Sequence, residues 1–137
     1  MSIFKTTEEA EYFLGRPWEM LGEDPEIGPK LGSLDKVLGA EYQNPNGSIR
    51  IHCTDNQVHV ERGTVGQPSD IVLAMDADVG HRFWQGAVNM PLALSKRQVT
   101  VEGKMSDVMS ILPFLGPGFE MYKAFLHAEG RDDLVGA

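Results

Sequence analysis

The stretch KVLGAEYQNPNGSIRIHCTDNQVHVERG, residues 36–63, decides the fold. Apolar and polar residues alternate through KVLGAEYQN, SIRIHCT and QVHVERG. A period of two marks strands with one buried face. Asn46-Gly47 and Asp55-Asn56 stand between these runs and suit two-residue hairpin turns. The segment therefore reads as a three-stranded antiparallel meander. The two turns fix its register. Ala40 faces Cys53, which faces Val58, and Tyr42 faces Ile51, which faces Val60. These residues line one apolar face. On the other face Glu41, His52 and His59 form one row, and Gln43, Arg50 and Glu61 form the next.

The row Glu41, His52, His59 sets three potential metal ligands on adjacent strands. It offers no fourth ligand and no group to orient the other three. The plainer reading is a solvent-facing polar surface, and no metal or other cofactor is expected. Cys53 is the single cysteine, so no internal disulfide can form. It sits on the apolar face, where a thiol behaves as a small inert hydrophobe.

Upstream, Thr6 and Glu9 fit a capping box, and Ala10, Phe13 and Leu14 follow on one face. Gly15-Arg16-Pro17 is expected to interrupt that helix before Trp18 and Leu21 resume it. Asp24-Pro25 starts another helix, with Ile27 and Leu31 inward. Downstream, DIVLAMD is an apolar run of strand length, suited to a well-covered strand. DADVGHRFWQG reads as a helix capped by Asp76 or Asp78 and stopped near Gly86. Its His81 reads as a partly exposed helix residue, with a general-base role as the sharper alternative. NMPLALS suggests a short helix and QVTVEG a fifth strand. A helix from about Ser106 to Leu115 and another from about Phe119 to Ala128 complete the chain. Residues 128–137 read as a loose tail. The fold class is α+β, a five-stranded sheet with helices mainly on one face, and residues 1–137 read as one domain.

The net charge of -8 argues against nucleic acid as a partner, because phosphate binding needs a basic footprint. The densest basic run is Lys96-Arg97. No stretch approaches the ~20 apolar residues of a spanning helix, so stable membrane insertion is not expected. The first residues lack a basic region followed by an apolar run, and a cytoplasmic location is expected. There is no phosphate-cradling glycine loop and no Gly-x-Ser-x-Gly elbow. Seven methionines occur, and Met75, Met90, Met105, Met109 and Met121 fall in the second half. With Phe83, Trp84, Phe114, Phe119, Tyr122 and Phe125 they make a surplus of large apolar side chains. Either they fill an irregular core, or they line a cavity for an apolar ligand.

The stretch DIVLAMDADVGHRFWQGAVNMPLALSKRQVTVEGKMSDVMSILPFL, residues 70–115, carries a further signal. It has an apolar strand, an Asp-led helix, an aromatic pair, Gly86, Asn89, a short helix with Ala93, a strand ending at Gly103 and an apolar helix. In this order the chain resembles the sterol carrier protein type 2 family, in the form of a small stand-alone bacterial-type member. The resemblance extends over nearly the whole chain. It implies helices over one face of the sheet, enclosing a hydrophobic tunnel. It also implies non-enzymatic binding of a sterol, fatty acid or fatty acyl-CoA, with no cofactor. The implied tunnel wall is Phe83, Trp84, Met90, Leu94, Met105, Met109, Leu112, Leu115, Phe119 and Tyr122. Gly103 would let the wall helix pack closely. Lys96-Arg97 stands where family members often carry a glycine turn.

Burying a chain in such a tunnel is favourable by roughly 0.8 kcal/mol per CH₂. Arg82 or Lys104 could meet an acidic head near the mouth, or simply be solvated. The alternative function is an accessory subunit that presents a lipid-like substrate to a partner enzyme. A third reading is an enzyme built on the Glu41, His52, His59 row.

Overall fold

The protein is described here by a computed structural model, which covers residues 2–137. Helix α1 spans Thr7–Glu23 and α2 spans Ile27–Gly32. Strands β1 (Lys36–Gln43), β2 (Gly47–Thr54), β3 (Gln57–Arg62) and β4 (Ile71–Asp76) follow. Helices α3 (Ala77–Trp84) and α4 (Met90–Ser95) lead to β5 (Val99–Glu102). Helix α5 (Met105–Ile111), a 3-10 turn (Leu112–Phe114) and α6 (Pro117–Ala128) come next. The five strands form one sheet in the order β3-β2-β1-β4-β5. β1 and β4 are parallel, and the other neighbours are antiparallel. The fold is the α+β arrangement expected.

Alternation decides which side of the sheet is buried. Leu38, Ala40 and Tyr42 of β1, Ile49, Ile51 and Cys53 of β2, and Ile71 and Met75 of β4 are all buried. They share one face, and the helices pack there. The opposite face carries Arg50, His52, His59 and Glu61. The connection between β3 and β4 straps part of it. Gln67 on this strap accepts a hydrogen bond from Arg50 at 2.8 Å. Asp70 at its end accepts one from the Val37 amide at 2.8 Å.

The β2–β3 register is the expected one. Cys53 faces Val58, Ile51 faces Val60, and His52 faces His59. Asp55 and Asn56 both have positive φ, at 54° and 59°, as a two-residue turn of this twist requires. The β1–β2 register differs. Ala40 faces Ile49 instead of Cys53, and Tyr42 faces Gly47 instead of Ile51. The chain reverses over Asn44-Pro45, joined by a cis peptide bond, and not over Asn46-Gly47. The expected register would place Pro45 in the ladder, where it has no N–H to give. The slip is by an even number of residues, so the face assignment survives. The rows do not. Glu41 faces Ser48, and His52 faces Val37. Gln43 pairs with Asp76 of β4. The carboxylate beside His52 belongs to Glu61, which contacts its Nε2. Among the described residues no His, Cys, Asp and Glu side chains cluster in a way that could hold a metal ion.

Helix α1 is not interrupted at Gly15-Arg16-Pro17. Phe13, Leu14, Pro17, Trp18 and Leu21 are all buried, and this packing outweighs the proline's weak helix propensity. The Arg62 guanidinium reinforces the turn before Pro17, donating to the carbonyl oxygens of Glu11 (3.0 Å) and Tyr12 (3.4 Å). The expected caps are present elsewhere. Thr6 accepts from the Glu9 amide at 3.1 Å and Asp24 from the Ile27 amide at 2.9 Å; Asn89, which was not expected as a cap, accepts from the Leu92 amide at 3.1 Å. Asp76 precedes α3 without a side-chain cap, and Asp78 instead accepts from the Ile3 amide at 2.9 Å.

The last residues are not a loose tail. Residues Asp132–Leu134 form a 3-10 turn, and Leu134 is 5% exposed. The Leu134 carbonyl accepts from His81, and the Gly136 amide donates to Gln85 at 2.6 Å. Two adjacent apolar residues, Leu134 and Val135, in an otherwise polar segment gave little sign of this docking.

Candidate functional site

An apolar cavity of about 40 Å³ lies between the sheet and the helices. The sheet supplies Leu38, Ala40 and Tyr42 from β1, Ile51 from β2, and Ile71, Leu73 and Met75 from β4. Trp18 comes from α1. Gly80, Phe83 and Trp84 come from α3, and Met90 opens α4. Val108 and Ile111 of α5, Leu112 and Leu115 close the opposite side. Among the described residues, none that lines the cavity is charged. Leu73, Phe83 and Leu112 are partly exposed and mark where the cavity comes nearest to solvent. The resemblance implies a tunnel; the space between the layers is this much smaller cavity.

Local backbone geometry positions the wall. A Cβ at Gly80 would stand 2.9 Å from Cε1 of Tyr42, so only glycine lets α3 lie this close to that ring. Gly103, between β5 and α5, has φ of +114°, and a Cβ there would stand 2.7 Å from the Asp70 carbonyl oxygen. It therefore sets the direction in which α5 returns over the sheet. The turn before β5 holds left-handed backbone at Arg97, with φ of +59°, where glycine is the easier residue.

Of the sequence-predicted wall, Phe83, Trp84, Met90, Leu112 and Leu115 line the cavity. Leu94 packs against the core outside it. Phe119 lies edge-on to Phe83, with ring centroids 5.5 Å apart, and to Trp84 at 6.3 Å. Tyr122 is fully buried and bound to His81. Met105 and Met109 are each 44% exposed and lie on the outer side of α5. That helix offers two stripes. Met105, Met109 and Leu112 form one, and Val108, Ile111 and Leu115 the other. The second stripe is the more deeply buried. Its β-branched residues were the discriminating signal, since Met tolerates exposure better than its hydrophobicity implies. Trp18 and the strand residues were not among the expected wall, although their alternation already placed the strand residues on the apolar face.

His81 is completely buried, in contrast to its expected exposure. Its Nε2 donates to the Leu134 carbonyl oxygen at 2.8 Å, which leaves Nδ1 to accept from the Tyr122 hydroxyl at 2.7 Å. Burial is the main cause that holds its pKa below the usual histidine value. Burial likewise raises the Tyr42 and Tyr122 phenols well above theirs, so both stay protonated. The Cys53 thiol is buried, and burial pushes its pKa up to about 11. Arg82 and Lys104 are both exposed and do not line the cavity. Among the described residues no helix is long and apolar enough to cross a membrane.

No protein-family model matches the chain, and a search of the curated proteins finds no match. Solved structures do match. The sterol carrier protein domain 2 of Helicoverpa armigera aligns with a TM-score of 0.65 and 15% identity, over 80% of this chain and 87% of that one. The sterol carrier protein 2 of Aedes aegypti, solved in complex with palmitate, aligns at 0.60 and 12% identity, over 78% and 94%. UbiJ-SCP2, a ubiquinone synthesis protein, aligns at 0.61 and 14% identity, over 79% and 94%. The chain has the fold of the sterol carrier protein 2 domains.

Proposed function

We propose that the protein binds a lipid-like apolar molecule between its sheet and helix α5, without catalysing a reaction on it. The observation that carries this reading is the wall itself, built of aliphatic and aromatic side chains with no charge. Such a wall has no use for a polar substrate, and it favours a long chain or fused rings by roughly 0.8 kcal/mol per buried CH₂. The palmitate held by the Aedes aegypti neighbour supports the same reading.

A cavity of about 40 Å³ is small beside the ~300–1,000 Å³ of ordinary ligand pockets. Binding therefore includes an outward shift of a wall element. The segment from Met105 to Phe114 is suited to this. It is a seven-residue helix and a 3-10 turn, too short to be stable apart from the sheet it covers. Gly103 and Gly116 flank it.

The second reading is an accessory subunit that holds such a lipid for a partner enzyme. The fold it shares with UbiJ-SCP2 and the exposed Met105 and Met109 favour it. Mass spectrometry of organic extracts from the purified protein tests the primary reading. A recurrent stoichiometric lipid supports it. An extract without lipid, from protein that also fails to bind the uncharged dye Nile red, contradicts it.

A further inference from the structure

We infer that the bound lipid keeps its head outside the cavity, in an acidic groove at the end of the sheet, and that this head is an organic cation such as an alkylammonium. The inference rests on the binding reading above and deepens it by naming the head.

The groove measures about 890 Å³ and opens at the C-terminal ends of β1 and β4, between the start of α1 and the turn before β5. Tyr42 and Met75 line both this groove and the apolar cavity, so the two spaces share these residues as a wall. The Tyr42 ring is held in place by α3, where a Cβ on Gly80 would already stand 2.9 Å from its Cε1. Met75 is unbranched and can turn aside without moving the backbone. A chain can therefore pass from the groove into the cavity at Met75.

Three carboxylates, those of Glu8, Glu11 and Glu41, line the groove against one cation, Arg97. Glu8 and Arg97 are exposed, and solvent weakens their effect. Glu11 is different, being 9% exposed. Its Oε2 accepts from the Ser48 amide at 2.9 Å, and among the described residues no cation pairs with its carboxylate. A carboxylate this deeply placed is costly without a counter-charge. An ammonium head in the groove supplies that charge together with its donors. Among the described residues no acidic cluster could hold a metal ion, which leaves an organic cation. An ionised fatty acid would bring a fourth carboxylate instead.

Displacement of Nile red by dodecylammonium, 1-dodecanol and laurate at pH 7 tests this on the intact protein. Salt at about 0.5 M screens the general attraction of an acidic protein for cations. Dodecylammonium should bind about tenfold more tightly than dodecanol, and laurate more weakly than either. Equal affinities, or laurate the tightest, overturn the inference and leave the binding reading intact. Absence of binding by the dye and by all three lipids overturns both. An amine that binds by calorimetry without displacing the dye overturns the link between groove and cavity. Glu11→Gln keeps an acceptor for the Ser48 amide and should bring the affinity for the amine down to that for dodecanol. Glu26→Gln, at an exposed position outside the groove, should leave the ratio unchanged. Equal effects of the two substitutions overturn the role of Glu11. If Glu11→Gln does not fold, the order of affinities in the unmodified protein decides alone.

Discussion

The Nδ1 of His81 lies 2.7 Å from the Tyr122 hydroxyl, joining α3 to α6 inside the core. The pair binds the docked C-terminal turn as well, through Leu134. Because burial lowers the folded pKa of His81, the unfolded chain takes up this proton first as pH falls. Stability from this group is complete above the unfolded value near ~6.5 and is lost as pH falls through the folded pKa. The carboxyls of Asp24, Glu61 and Asp133 are held below their usual range, so their losses come at lower pH. The urea midpoint should therefore drop between pH 7 and 5.5, and the drop should be smaller in His81→Gln. Equal slopes in the two proteins would contradict a buried neutral imidazole.

Leu134→Ala should destabilise the protein by about 2–3 kcal/mol, since it empties a buried leucine site. Urea unfolding measures this. A tail that merely trailed from α6 would tolerate the change without cost.

The two stripes of α5 should respond differently. Ile111 is 3% exposed, and Ile111→Ala should cost about 2–4 kcal/mol. Met109 is 44% exposed, and Met109→Ala should stay within about 0.5 kcal/mol. Met109→Asp should leave the Nile red affinity within about twofold of the parent protein, by the same surface argument. Loss of dye binding in that variant, with the fold intact, would place Met109 in the site.

Gly32 tests the packing of α2 on the β2–β3 turn. A Cβ there would stand 2.1 Å from the Gln57 amide nitrogen and 2.3 Å from the Asn56 carbonyl carbon. Both are backbone atoms that cannot swing away. Gly32→Ala should cost at least about 1–3 kcal/mol. Gly116, whose added Cβ meets nothing within 4 Å, is the control, and Gly116→Ala should be near neutral in thermal unfolding. Similar losses at both positions would contradict the close approach at Gly32.

Much of this architecture was legible in local pattern. Alternation placed Leu38, Ala40 and Tyr42 on the buried face, and the Asp55-Asn56 turn fixed the pairing of His52 with His59. What remained hidden depended on competition between distant groups. Two adjoining turn signals, Asn44-Pro45 and Asn46-Gly47, competed, and the proline's missing donor decided between them. Pro17 reads as a helix break until Arg62, far along the chain, is seen to bind the preceding carbonyls. In α5 both stripes are apolar, and β-branching at Val108 and Ile111 against Met105 and Met109 was the one sign of which stripe faces the sheet. His81 is unremarkable in sequence, because the partners that make its burial tolerable lie 41 and 53 residues away.

Trp18 and Trp84 are the only tryptophans of the chain, and both line the cavity with ring centroids 5.3 Å apart. Their emission therefore reports directly on what enters it. Titration with 11-bromoundecan-1-ol, whose bromine quenches on contact, is the most direct test of lipid binding at this site. The account predicts saturable quenching that is complete at one ligand per chain and reversed by excess 1-dodecanol. Quenching that rises only linearly with concentration, as for free tryptophan in solution, would contradict it.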